Sequence, residues 1–505
     1  MNLASGVLAR ANERPDRQAI QEIATGRSLT FGGLKAATER LANGLRSVGF
    51  RDGARVGIGL ENSLEWVLAL YGCWLADATP VLVNHSLTAA EIESLLREVG
   101  VGALFSAGDR GLTGISAAST DLAGNLSLVP APSPVQNPPG QACIIFTSGT
   151  EGRPKPAVLR HEGLATATAS IARALRGRPG PYAIARPEAP PSFICLPLSH
   201  TGGLTSLIFA FYVGRSVLLA RKFSPAITSE AIQRYRIDSL VATPTMLHML
   251  LEEPGFDLGS VRIVQSTGAP LAPALQRRFE RRFGVPVIQN YGQTETAHVA
   301  GWTRGDLAAR RWRPGSVGRP YEGVEVEIRD AGGSLARPGE VGEIVVRSAH
   351  LMVGYEGRAE SLPDGWIATG DLGYLDEDGY LFVVDRKREV IICGGFNIYP
   401  AELEALVLEN PAVAEVAVVG VPDDRLGEVP KAFVVLRHGH TASAQDIVHF
   451  TEGQTAHYRA LRDAEIVPEL PMTATEKVHR AVVRERASRA TRVRRERERQ
   501  SDQDI

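Results

Sequence analysis

The chain reads as an α/β protein: a large N-terminal domain of helix-covered, mostly parallel sheets with a β-rich subdomain, then a small α+β C-terminal domain. Three observations predict this. Apolar runs of helical and strand period alternate from Ala36 to Ser266. Beyond about Val317, short strands punctuated by Gly, Asp and Pro turns replace that alternation. After Asp385 a shorter helix–strand–strand unit follows, which places a domain boundary there and gives domains of residues 1–384 and 385–505. A length of 505 residues, 44% of them hydrophobic, supplies ample apolar material for more than one core.

The elements follow in order. Ala36–Val48 has apolar positions at helical spacing and stops at Gly49; Arg55–Leu60 reads as a buried strand, and Ser63–Ala76 returns to helix. Pro80–Asn84 is a second strand. Thr88 with Glu91 three residues on is a capping signature for the next helix. Val101–Ser106 is a strand before a loose Ala-, Ser-, Pro- and Gly-rich stretch, residues 107–141. Strands then recur at Ile144–Phe146, Ser192–Leu196, Ser216–Leu219, Ser239–Ala242 and Ile263–Ser266, the alternation expected of parallel strands with helical crossovers. The β-rich part comprises Val324–Arg329, Gly342–Val346 and Tyr380–Val384, and the C-terminal unit has a helix at Pro400–Glu409 and strands at Val413–Val419 and Lys431–Leu436. The Arg- and Glu-dense tail, residues 484–505, has too few apolar residues to pack and is expected to be a solvated helix end.

Composition excludes several classes. Basic and acidic residues number 55 and 57, for a formal charge of -2, without the basic excess of a broad nucleic-acid surface. No apolar run reaches the ~18–20 residues of a membrane helix, so no membrane insertion is expected. Cys73, Cys143, Cys195 and Cys393 are too scattered for a zinc module or disulfide framework, and Met1–Arg17 lacks the apolar core of a secretion signal. A cytoplasmic protein is the expectation.

The strongest local signal is TSGTEGRPK, Thr147–Lys155, directly after a strand. Glycines permit tight turning, hydroxyls donate to phosphate oxygens and Lys155 brings positive charge, which suits a polyphosphate cradle. The Walker arrangement GxxxxGK[ST] is absent. This segment resembles the phosphate loop of adenylate-forming enzymes: acyl-CoA synthetases, luciferases and peptide-synthetase adenylation domains. Four further segments resemble the family's other signatures, in the same order: YGQTE (Tyr291–Glu295), TGD (Thr369–Asp371), DRKREVIICGGFNIYPAELE (Asp385–Glu404) and LPMTATEK (Leu470–Lys477).

The resemblance implies an ATP-dependent acid–thiol ligase that uses ATP, Mg²⁺ and CoA on a small-molecule carboxylic acid, fatty, aryl or alicyclic. An acyl carrier protein is the alternative acceptor. It assigns Thr147, Ser148, Gly149, Thr150 and Lys155 to the phosphates, and Gly268, Ala269 and Pro270 to adenine. From YGQTE, Tyr291 offers a face to adenine beside Gly292 and Gln293, Thr294 contacts the α-phosphate and Glu295 holds Mg²⁺. Asp371 receives the ribose hydroxyls, with Arg386 beside it. Asp385 is the hinge of a mobile small domain, Gly394 and Gly395 line the pantetheine passage, and Lys477 is the catalytic lysine bridging the carboxylate and the α-phosphate. His200, in LPLSHTGG (Leu196–Gly203), borders the acyl pocket, with Thr243–Leu247, Ser266, Thr267 and Thr296 as further pocket positions.

Two departures from the family pattern stand out. Glu476 occupies the position before the lysine where relatives have Gly, so its carboxylate is placed to pair with Lys477 and lower efficiency. Ala460–Leu461 replaces a Val-Pro pair, leaving that loop less rigid. Amino-acid-activating relatives carry an aspartate near the pocket, and none lies between Leu196 and Thr205, which favours an uncharged acyl or aryl acid. A regulatory relative that has lost the chemistry has Glu476 as its only support.

Overall fold

The computed structural model describes residues 2–108, 112, 115–128, 140–147, 154–176, 189–309, 312–357, 363–456, 459–472, 478–487 and 489. The largest sheet has eight strands. Its centre is parallel: Gln141–Thr147, Thr79–Leu82, Arg55–Ile58, Ala103–Phe105 and Ser116–Thr120 lie side by side. Antiparallel strands flank it, Leu126–Leu128 at one edge and Lys155–Arg160 then Gly354–Tyr355 at the other. The helices Leu64–Leu75 and Ala89–Glu98 are the crossovers that parallel pairing demands. The first is capped by Ser63, whose side chain accepts from Trp66 N–H, and ten of its twelve residues are buried. The second is closed by the capping box of Thr88 and Glu91.

A second parallel set, Ser239–Ala242, Ile263–Ser266 and Val287–Gln289, is separated by Pro244–Glu252 and Pro273–Phe283, both with proline in the first helical turn. The β-rich part is an antiparallel sheet of Val324–Arg329, Gly342–Ser348, Ile367–Leu375 and Leu381–Arg386. The C-terminal sheet joins Phe396–Ile398, Ile391–Cys393, Gly427–Leu436 and Val413–Asp423, with Asp463–Ile466 added in parallel to Gly427–Leu436. Its core of Ile391, Leu403, Val418, Phe433 and Ile447 is separate from those of the other sheets. Among the described residues no helix is long and apolar enough to cross a membrane.

Two expectations are corrected, and one motif finds its place. The stretch 107–141, read as loose, contains Ser116–Thr120 and Leu126–Leu128, which extend the large sheet; Ser and Ala at strand positions hide the usual alternation. TGD lies within the nine-residue strand Ile367–Leu375, for which the sequence carried no strand expectation. The start of the tail packs: residues 480–487 are helical, Val483 and Ala487 belong to the C-terminal core, and Arg484 pairs with Glu389. Two apolar residues one turn apart suffice there because the arginines find carboxylates at the rim. Beyond Arg489 the tail lies outside the described residues.

Candidate active site

Parallel strands leave their carboxyl ends free for ligands. At those ends of the three-stranded parallel set stand Thr243, Thr267–Pro270 and Asn290–Tyr291. Thr267 N–H donates to Ala242 O at 3.0 Å, and Gln289 Nε2 donates to Ala269 O at 3.4 Å, so TGAP is tied to both neighbours. Gly268 has φ +85°, a left-handed turn that glycine takes without strain. Two buried polar atoms here, Ser266 Oγ and Asn290 Oδ1, have no hydrogen-bond partner among the described residues. Such orphans are costly unless a ligand satisfies them.

YGQTE forms a tight antiparallel corner between Tyr291–Gln293 and Ala297–Gly301. A Cβ on Gly292 would lie 2.0 Å from Ala297 O, so only glycine fits, and Ala297 itself is held at φ +52°. From this corner Tyr291 Oη donates to Asp371 Oδ2 at 2.6 Å, and Gln293 Nε2 donates to the same oxygen and to Thr369 O at 3.0 Å. Asp371 faces Arg386 across an antiparallel pair, and Arg386 Nε lies 2.6 Å from Asp371 Oδ1. Burial pushes the Asp371 carboxyl up, with Arg386 and then its two donors pulling the other way. Burial likewise drives the Tyr291 phenol well up, so it stays a donor. Arg386 is 49% exposed while Asp371 is 5% exposed at its side chain, so the arginine is the partner free to move.

Thr294 Oγ1 lies 2.8 Å from Thr201 Oγ1, in the first turn of the helix Thr201–Tyr212, for which His200 is the N-cap residue. That contact brings LPLSHTGG against YGQTE. Glu295 Oε1 accepts from Tyr355 Oη at 2.7 Å, and Lys155 Nζ stands 4.9 Å from the centroid of the Tyr355 ring. Thr147 and Lys155 face each other across the antiparallel pair that brackets the phosphate loop. Ser148, Gly149 and Thr150 lie outside the described residues, as do Glu476 and Lys477.

Other positions stand apart from this cluster. Gly394 and Gly395 form an exposed two-residue hairpin turn, both with positive φ, between Ile391–Cys393 and Phe396–Ile398. Asp385 is buried; its Oδ2 accepts from Ala401 N–H at 2.9 Å, in the first turn of Pro400–Val407, and burial lifts its carboxyl to about 6. Sequence reasoning overlooked Tyr355, Thr201 and His298, a half-buried imidazole held down at about 4 by desolvation and then by His350. Nothing local marks them, because their partners are 60 and 93 residues away for Tyr355 and Thr201.

The donor set suits Mg²⁺ as well as nucleotide. Glu295, Thr294 and Thr147 offer hard oxygens, and among the described residues no three His, Cys, Asp or Glu side chains are grouped to hold a metal. One carboxylate shared with substrate phosphates is the arrangement Mg²⁺ favours.

Known proteins place the architecture. The chain is 34% identical to an indoleacetate–CoA ligase of Aromatoleum aromaticum (strain DSM 19018 / LMG 30748 / EbN1), over 97% of this chain and 99% of that one. It is 32% identical to the fatty acid–[acyl-carrier-protein] ligase ScoC of Streptomyces coeruleorubidus, over 94% of each. Among solved structures, o-succinylbenzoate CoA synthetase (MenE) from Bacillus subtilis, in complex with its acyl-adenylate intermediate, superposes with a TM-score of 0.80 at 31% identity, covering 94% of this chain and 97% of that one. The sequence pattern of the AMP-binding enzyme matches residues 7–356, and that of the AMP-binding enzyme C-terminal domain matches residues 402–477. The chain therefore belongs to the AMP-binding, adenylate-forming enzyme family.

Proposed function

We propose that the protein is an acid–CoA ligase. It activates a carboxylic acid with ATP to an acyl adenylate, releasing pyrophosphate, and then transfers the acyl group to CoA. The observation that carries this reading is the convergence of Asp371, Tyr291 and Gln293 with Thr294, Glu295 and Lys155 beside orphaned Ser266 and Asn290. An aryl-bearing acid is the proposed substrate: the segment Leu196–Thr205 carries no acidic group, and two of the relatives above are named for indoleacetate and o-succinylbenzoate.

Asp371 receives the ribose hydroxyls on its Oδ1 side, where the half-exposed Arg386 gives way. Asn290 Oδ1 accepts from the adenine amino group next to Gly268–Pro270. Thr294, its hydroxyl fixed by Thr201, donates to the α-phosphate, while Thr147, Ser148, Gly149, Thr150 and Lys155 hold the outer phosphates. Glu295 holds Mg²⁺, which when bound neutralises polyphosphate charge. His200 borders the acid, and Lys477 neutralises charge between carboxylate and α-phosphate as the bond to phosphorus forms. The small domain, hinged at Asp385, then turns to exchange Lys477 for Gly394–Gly395 so that the thiol attacks the acyl carbon and AMP leaves. The cytoplasm is the proposed location.

The test is pyrophosphate release with Mg-ATP over alkyl and aryl acids, with and without CoA, and products weighed by mass spectrometry. Aryl-CoA formation is expected; silence across the panel overturns the reading. Glu476→Gly is expected to speed pyrophosphate release, and slower release would show that Glu476 does not hold Lys477 back. A second reading, loading of a separate carrier protein, rests on the likeness to ScoC alone. Acyl-AMP that ignores CoA and acylates a pantetheinylated protein would select it.

A further inference from the structure

The stretch Met352–Glu356 belongs to none of the motifs above, yet it is tied to both halves of the site. Met352 N–H donates to Glu295 O at 2.9 Å, Val353 N–H to Val158 O at 2.8 Å and Glu356 N–H to Pro156 O at 2.8 Å. Gly354 and Tyr355 pair with Val158 and Ala157 as an edge strand of the large sheet. Its far end is fastened from inside. Arg55, 5% exposed, places Nη2 2.8 Å from Glu356 Oε1 and donates through Nη1 to Val99 O at 2.6 Å. A buried guanidinium keeps such a partner firmly, because losing it strands a charge away from water.

From this strap one ring reaches into the site. Tyr355 Oη holds Glu295 Oε1, and its π face carries the Lys155 ammonium. The geometry points to Tyr355 as a positioning residue that sets the Glu295 carboxylate and the Lys155 ammonium in fixed relation to each other, so that both meet magnesium triphosphate already oriented. This rests on the reading of the site as one for ATP and Mg²⁺. A charge-assisted bond to one carboxylate oxygen fixes the direction of the other, and among the described residues nothing donates to Glu295 Oε2. The ring face holds the cation without neutralising it. A neutral phenol between opposite charges thus orders both groups before substrate arrives, which removes an ordering cost from binding.

The experiment uses the full chain with Tyr355→Phe and Tyr355→Leu. ATP binding is measured by calorimetry in EDTA and across a magnesium titration, alongside ATP–pyrophosphate exchange. Tyr355→Phe keeps the ring and loses the hydroxyl, so metal-free ATP affinity stays within about twofold while the magnesium needed for half-saturation rises about tenfold. Tyr355→Leu also loses the cation's platform, and metal-free ATP binding weakens by a further ~2–5-fold. Unchanged magnesium dependence in Tyr355→Phe overturns the proposal. In a Glu295→Gln background the Phe substitution is expected to have almost no further effect; a persisting tenfold effect means that Tyr355 acts elsewhere and equally overturns it. Near-UV circular dichroism reports folding, and where Tyr355→Leu unfolds, the Phe variant and its cycle decide. A wild type that binds no ATP overturns the functional reading itself, a result distinct from either of these.

Discussion

The corner around Asp371, the proposed nucleotide site, and the region of the proposed hinge are held by opposite means. At the corner, Asp371 is buried and bonded by Tyr291, Gln293 and Arg386, all on strands paired within two adjoining sheets. Across the proposed hinge, residues after Asp385 meet the rest of the chain through ion pairs nearer the surface. Arg437 reaches Glu252 at 2.8 Å, an acid it shares with Arg278, Arg277 reaches Glu409 at 3.1 Å, and Lys387 reaches Glu343 at 2.8 Å. Exposed pairs are worth ~0–1 kcal/mol each, whereas a buried charge is expensive to disturb. The difference teaches where this chain can change shape cheaply: the corner that would grip the nucleotide is costly to deform, and the contact that would open between half-reactions is not.

The comparison is broken most severely at Gly292. A Cβ there meets a backbone oxygen that cannot retreat. Gly292→Ala is expected to cost about 3 kcal/mol or more in urea unfolding and to abolish ATP–pyrophosphate exchange. Wild-type stability would mean that the YGQTE corner is softer than its geometry implies.

Asp385 comes next, through pH. Its carboxyl is raised to about 6, so protonation favours the folded arrangement. Its stabilising contribution is complete below about pH 4 and is lost as pH rises through 6. Asp385→Asn removes that loss, and its stability relative to wild type is expected to improve between pH 4 and 7 by up to about 3 kcal/mol. Comparing the two proteins is essential, because His161 and His298, both depressed to about 4 first by burial, lose stability in the opposite direction as pH falls below 6.5. Parallel melting curves at every pH would contradict the account.

Tyr291→Phe should be milder. It removes one charge-assisted donor and leaves Gln293 and Arg386 on Asp371, for a loss of about 2 kcal/mol by denaturant titration. The smallest stability effect is predicted for Arg437→Ala, under ~1 kcal/mol, since Arg278 still answers Glu252. The readout that moves is the ratio of thioester formation to adenylate formation, and raised salt should mimic the substitution in wild type. A drop of several kcal/mol would show that the contact is a structural clamp.

Much of the proposed site is written in short runs of the chain. The order TSGTEGRPK, YGQTE, TGD, DRKRE and LPMTATEK points to adenylate chemistry because backbone approach to phosphate needs glycines and hydroxyls in short, local runs. The Thr88–Glu91 cap was equally local, decided within one turn. The strand at Ser116–Thr120 and the packed start of the tail were illegible, since their apolar partners lie elsewhere in the sequence.

By itself, then, the sequence determined the fold class, the family and the chemical vocabulary of the site, all carried by periodicity and by contiguous motifs. Only the tertiary structure decided which groups meet: Tyr355 on Glu295, Thr201 on Thr294, Arg55 on Glu356 and Asp371 between Tyr291 and Arg386. The reason is physical. Those contacts depend on the register of strands and the docking of helices distant in sequence, which the packing of whole sheets sets and no local run of residues encodes.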